Sequence, residues 1–194
     1  MKLDIYEIQG QIKKYIINVF KSVGRELSEK EFNIEINKPS DHKLVSKKEY
    51  EKNGYMYIYS YWCDGCERPL KVGKAGPLSF ARYANHHYNY KSSKSCLANS
   101  LLEEAGRTTL KEWGVLSDIV NLEANENNED EKTLHQRIRV KLKDAIVNNC
   151  YRIDVRIKYD KDNISGLDIF ALELVEAALH YIYKPKFEGF ENQR

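Results

Sequence analysis

Residues Tyr55 to Tyr61 read YMYIYSY, so that Tyr55, Tyr57, Tyr59 and Tyr61 alternate with Met56, Ile58 and Ser60. A period of two in β-branched and aromatic residues is the signature of a strand with two different faces. Cys63-Asp64-Gly65-Cys66 follows with an Asp-Gly turn, and Pro69-Leu70-Lys71-Val72-Gly73 can return as a second strand. The centre of the chain is therefore expected to be an antiparallel hairpin carrying a face of tyrosine, and every other element must pack around it.

Helical periodicity flanks the hairpin. Ile5, Ile8, Ile12, Ile16, Val19 and Val23 recur at three- and four-residue steps, which predicts an amphipathic helix over 5–23 ending near Gly24. A short strand over Glu31–Ile36 and a loop at Lys38–Asp41 complete an N-terminal extension, residues 1–50, with no visible chemistry. After the hairpin, Pro77 suits the first turn of a helix reaching about Tyr88, which would put Arg82 and His86 on one face. Ser95–Glu104 reads as a helix closing at Gly106, Asp130–Val147 as a longer one, and Tyr151–Tyr159 as another alternating strand. Asp168–Tyr183 is a last helix that stops before Pro185. Its apolar stripe, Ile169, Leu172, Val175, Leu179 and Ile182, has Glu176 within or beside it, and a carboxylate there is costly unless paired or bound to a cation. The expected fold class is α+β: a small, three-stranded, mainly antiparallel sheet flanked by helices, with a helical insertion at about 107–148.

A chain of 194 residues can own a hydrophobic core without disulfides or metals. Its N-terminus carries acids early and strings together too few apolar residues for a signal peptide or membrane span, so a cytoplasmic protein with reduced thiols at Cys63, Cys66, Cys96 and Cys150 is expected. The net charge of +2 conceals an uneven distribution. From Arg68 to Leu102 there is no Asp or Glu, while Arg68, Lys71, Lys74, Arg82, Lys91 and Lys94 are all basic and His86 and His87 lie between them. Tyrosines 55, 57, 59, 61, 83, 88 and 90 fall in the same neighbourhood. A basic stretch interleaved with aromatics attracts polyanions, nucleic acid above all. The simpler alternative is a solvated face beside an aromatic core.

The hairpin YMY…KVGKA, the following RYANH and the late helix VEAALHYIYKPKF, taken in order, resemble the GIY-YIG nuclease superfamily, and most closely its restriction-endonuclease branch. The resemblance spans residues 54–188, interrupted at about 107–148. It implies a divalent-metal-dependent DNA endonuclease, of a site-specific, type II restriction-like kind, acting on double-stranded DNA as a homodimer. Residue by residue, it places Tyr57 at the tyrosine of the first motif and Lys71-Val72-Gly73 at the second, where Lys71 departs from the usual tyrosine. Arg82 and His86 match the arginine and the histidine of the restriction branch, with Lys74 beside them. Glu176 matches the metal-binding glutamate, while Glu188 stands where an asparagine is common, a second departure. The implied cofactor is one Mg²⁺ or Mn²⁺ per active site, with no small-molecule cofactor and no membrane.

The chemistry asks for such a set. Phosphodiester hydrolysis needs a nucleophile in line, shielding of the phosphoryl oxygens and help for the leaving oxygen. Glu176 would hold the cation, Arg82 would grip a non-bridging oxygen, and Tyr57, its pKa lowered by Lys71, Lys74 and Arg82, would be the base, with His86 the alternative. Lys91 and Lys94 would contact the nucleic acid. Competing readings are a structure-specific or mobile-element nuclease and a catalytically silent nucleic-acid-binding protein. Two metal alternatives come from spacing: Glu173/Glu176/His180 on the last helix, and half a zinc site at Cys63-x-x-Cys66 with no second CxxC to complete it.

Overall fold

The Asp4 carboxylate accepts the backbone N–H of Tyr6 at 2.9 Å and starts helix α1, Ile5–Ser22, whose Ile8, Ile12, Ile16 and Phe20 are buried. The computed structural model describes residues 4–28, 30–93, 96–124, 130–159 and 166–187. Strand β1, Phe32–Asn37, precedes α2, Lys47–Asn53, which opens on a capping box between Ser46 and Glu49 and ends on Gly54 at φ 64°. The hairpin follows as β2, Tyr55–Cys63, and β3, Lys71–Ala75. Next come α3, Phe80–Ala84, a 3-10 turn at His86–Tyr88, and helices α4, Leu97–Leu102, α5, Glu104–Glu112, α6, Leu116–Ala124, and α7, Glu131–Asn149. Strand β4, Cys150–Lys158, and helix α8, Gly166–Tyr183, complete the described elements.

The sheet has four strands in the order β1-β4-β2-β3, all antiparallel, rather than the three expected. The difference is β1: it pairs with β4, Phe32 opposite Ile157 and Asn37 opposite Arg152, so the stretch 1–50 supplies an outer strand of the same sheet. Alternation on β2 and β4 then sorts the interior into two cores. On one face Met56, Ile58, Val72, Ile153, Val155 and Ile157 pack against α1 and against Leu172, Val175 and Leu179 of α8. On the other, the tyrosines of β2 meet α2 to α7.

Two local expectations fail for packing reasons. The helix foreseen from Pro77 to Tyr88 is broken at Asn85, so Arg82 lies in α3 and His86 in the 3-10 turn, not on one helical face. Gly106 does not stop a helix but lies inside α5, where a Cβ would come within 2.1 Å of the Ser100 carbonyl oxygen and 2.4 Å of Leu101 Cα. Glycine lets α5 turn tightly against α4 there, and α5 and α6 fill much of the stretch 107–127 that shows no clear pattern in sequence.

The tyrosine face is organised by a cation. Arg152 is fully buried, donating from Nε to Asp154 Oδ1 at 2.7 Å, from Nη1 to the hydroxyls of Tyr61 and Tyr88 at 3.2 and 3.3 Å, and from Nη2 to the Tyr83 carbonyl at 3.1 Å. Its guanidinium carbon lies 4.6 Å from the Tyr83 ring centroid and 5.0 Å from that of Tyr59. A buried charge survives only with its donors engaged and its counter-charge near, and here both conditions hold.

Candidate active site

Register decides which tyrosine can reach the edge of the sheet. Tyr59 stands opposite Gly73, whereas Tyr57 stands opposite Ala75. Because Gly73 has no side chain, the Tyr59 ring can lie across β3 and direct its hydroxyl to the carbonyl oxygens of Lys74 at 3.3 Å and Arg82 at 3.4 Å. His87, buried, completes the arrangement. Its Nδ1 accepts the Leu97 backbone N–H at 3.1 Å, which leaves the proton of the neutral ring on Nε2 to be donated to the Tyr59 hydroxyl at 3.1 Å. Burial, reinforced by His86, Lys71, Arg152 and Arg82, drives the His87 pKa well below 6.5 and keeps that ring neutral. A Cβ at position 73 would sit 2.7 Å from Tyr59 Cε2 and 3.1 Å from His87 Nε2. Gly73→Ala is expected to cost about 1–3 kcal/mol in urea unfolding by forcing these rings apart. Gly10→Ala on the exposed side of α1, where nothing lies within 4 Å, should instead be neutral or stabilising by about 0.5–1 kcal/mol.

Tyr57 does not join this group. It is buried between Tyr50, ring centroids 5.1 Å apart, and Tyr83, 4.3 Å apart, on the sheet face opposite to α8. Burial raises its pKa, and the cation opposing that rise is Arg156 across the strand pair, not Lys71, Lys74 or Arg82. Glu176 is not among the main charges acting on the Tyr57 phenol, so the expected pairing of the two is not seen. Glu176 acts on Tyr59 instead: burial dominates in raising the pKa of that phenol, Glu176 adds to the rise, and Arg152 and Arg82 oppose it. A phenol in that environment keeps its proton at neutral pH, so Tyr59 is a hydrogen-bonding and positioning group rather than a base.

The remaining residues come from both faces of β3. Lys74 points toward α8, where its Nζ lies 2.7 Å from Glu176 Oε2 and 3.5 Å from Glu173 Oε1. Lys71, on the tyrosine face and nearly buried, donates from Nζ to the Phe187 carbonyl at 3.3 Å. The segment after α8 is held there by Lys186 N–H to Pro69 O at 2.9 Å and Phe187 N–H to Leu70 O at 3.0 Å. Arg82 is exposed on α3 with its guanidinium beside the Tyr59 hydroxyl. His86 is half-buried, with Nε2 3.4 Å from Ser93 Oγ, and burial first, then Arg82 and Lys71, lowers its pKa from 6.5. It is accordingly a neutral imidazole at pH 7, poised to accept a proton.

One predicted nucleic-acid contact stands apart. Lys91 turns to α7, hydrogen-bonding His135 and lying 3.6 Å from Glu131, while Lys94, like Glu188, lies outside the described residues. The fit of the group to a metal is narrow. Among the described residues no cluster of three or more His, Cys, Asp or Glu could hold an ion, so Glu173/Glu176/His180 and Cys63-x-x-Cys66 are not ready-made sites. Glu176 can act as a single carboxylate ligand of the kind Mg²⁺ accepts when phosphate and water complete its shell, once Lys74 gives up the contact. Among the described residues no helix is long and apolar enough to cross a membrane.

Tyr59 and His87 are the residues that sequence reasoning missed. The signal for Tyr59 was present, since Ile58-Tyr59 repeats Met56-Tyr57 one pleat later, but only pairing with Gly73 selects between them. No family model, curated protein or solved structure matches this chain.

Proposed function

We propose that the chain is a divalent-metal-dependent DNA endonuclease whose active site lies at the β3 edge of the sheet. The supporting observation is convergence: Tyr59 from β2, Lys71 and Lys74 from β3, Arg82 from α3, His86 from the adjoining turn and Glu176 from α8 meet around one strand, although more than a hundred residues separate the first from the last. A carboxylate, an exposed guanidinium and a neutral imidazole are the groups that phosphodiester hydrolysis calls for. In this reading Glu176 holds Mg²⁺ or Mn²⁺, which supplies Lewis acidity to the scissile phosphate. Arg82 grips a non-bridging oxygen, His86 accepts the proton of the attacking water, and Lys71 and Lys74 add positive charge on either side of β3. Tyr59, held by His87, fixes β3 against α3. The favoured substrate is double-stranded DNA cut at symmetric sites by a homodimer, as in the restriction branch of the GIY-YIG nucleases.

Conversion of supercoiled plasmid to nicked or linear forms by the purified chain in Mg²⁺ or Mn²⁺, abolished by a chelator, is the test; intact plasmid over a broad range of pH and salt counts against the reading. Where cleavage is observed, kcat/KM should fall as pH drops, with a midpoint below 6.5, because His86 must be unprotonated to work and its pKa is depressed. Replacing His86 with Asn should remove most of the activity together with that acid limb, and an unchanged pH profile would assign the base elsewhere.

A second reading is favoured by the Lys74–Glu176 contact, which already neutralises the metal-binding carboxylate. On that reading the chain binds nucleic acid without cutting it, with salt-sensitive affinity that Glu176→Ala leaves unchanged.

A further inference from the structure

Between Lys74 and Arg82 the chain makes one turn whose residues are badly matched to it in local terms. Gly76 to Ser79 closes with the Ser79 N–H on the Gly76 carbonyl at 3.2 Å, Pro77 occupies the second position, and Leu78 occupies the third at φ 62°. A positive φ at the third position is the geometry that calls for Gly or Asn, and a bulky side chain there is strained. The turn is pinned: the Tyr50 hydroxyl donates to Gly76 O at 2.7 Å, Ser79 Oγ donates to Pro77 O at 3.4 Å, and Ser79 O receives the first N–H bond of α3, from Arg82, at 3.0 Å. No burial offsets the strain, since Leu78 is 76% exposed. A leucine at once strained, held and solvated improves neither the core nor the backbone, and strain of this kind concentrates where a side chain must be presented to something else.

We propose that Leu78 is an apolar wedge of the nucleic-acid-binding surface, entering the base stack of double-stranded DNA beside the phosphate gripped at the β3 edge. The inference rests on the nuclease reading of that edge and specifies how the duplex is engaged. Lys74 and Arg82, four residues to either side, supply phosphate contacts that bring the duplex to the turn. An apolar side chain inserted there partly unstacks a step and kinks or unwinds the helix, and so exposes the backbone to the site. DNA rather than a protein partner is favoured because basic residues, Lys74 and Arg82, flank the leucine on both sides along the chain.

The experiment uses the full chain and closed-circular plasmid relaxed by a metal-independent topoisomerase in EDTA, where the change in linking number reports unwinding whatever the sequence. Wild type should change the linking number in proportion to bound protein. Leu78→Asn and Leu78→Gly, which suit the turn, should lose most of that change, weaken binding by less than about tenfold because phosphate contacts persist, and keep or raise the melting temperature. In Mg²⁺ the same variants should cleave at least about tenfold more slowly. Variants that unwind and cut like wild type overturn the wedge while leaving the nuclease reading intact. So do variants whose only change is loss of a dimer, which would make Leu78 a protein contact. Wild type that neither binds nor cuts DNA overturns both.

Discussion

Glu176→Gln is expected to lower plasmid cleavage by about 10³-fold or more while leaving the fold intact. The substitution keeps the shape of the side chain and removes the charge that Lys74 meets and that the proposed cation would need. Loss of the carboxylate leaves no other described group positioned as the primary ligand, since Glu173 meets Lys74 only at 3.5 Å from the exposed side of α8. The stability cost should be modest, about 1 kcal/mol or less, because the Lys74–Glu176 pair is partly open to solvent, with side-chain exposures of 23% and 17%. Cleavage rates with Mg²⁺ and with Mn²⁺, read beside thermal melts, separate the two effects. A variant that melts normally and still cuts within about threefold of wild type would remove Glu176 from the mechanism.

Arg152→Met should have the largest effect on stability, about 3–5 kcal/mol, equivalent to a drop in melting temperature on the order of 10 °C for a chain of this size. Methionine fills much of the volume, but the change strips Asp154 of its 2.7 Å partner inside the sheet and leaves the Tyr83 carbonyl without its donor. Asn37 Nδ2 at 3.2 Å and the Tyr83 hydroxyl at 3.3 Å remain on Asp154, which is too little to replace a cation. Removing the acid as well, in Arg152→Met/Asp154→Leu, should cost less than the single change, because no lone charge is then buried. Equal or greater loss in the double variant would show that the guanidinium acts through the tyrosine rings that it faces rather than through Asp154. Because Arg152 also faces Tyr59, the single variant is expected to disturb the site through the fold and not through chemistry.

Much of the secondary structure was legible locally. The alternation in YMYIYSY, the stripe of isoleucines in α1 and the stop at Pro185 each depend on neighbours within a few residues, and periodicity reports those directly. Glu176, Lys74, Arg82 and His86 could be singled out because their residue types are unusual where they stand or recur in a recognisable order. The choice of Tyr57 over Tyr59 could not be corrected from the chain alone, for both lie on the same face of the same strand. Nor could Gly106 be separated from a helix stop, because its requirement comes from α4 lying against it.

Amino-acid order determined most of the segments that are helix or strand and the apolar face of each, because backbone sterics and side-chain burial act over one or two turns or pleats. Only the tertiary structure decided that Phe32–Asn37 completes the sheet by pairing with a strand more than a hundred residues away, that Tyr59 crosses Gly73 to reach β3, and that Glu176 finds Lys74. Those outcomes depend on strand register and on the edge position of β3, which pairings distant in sequence establish and no local pattern encodes.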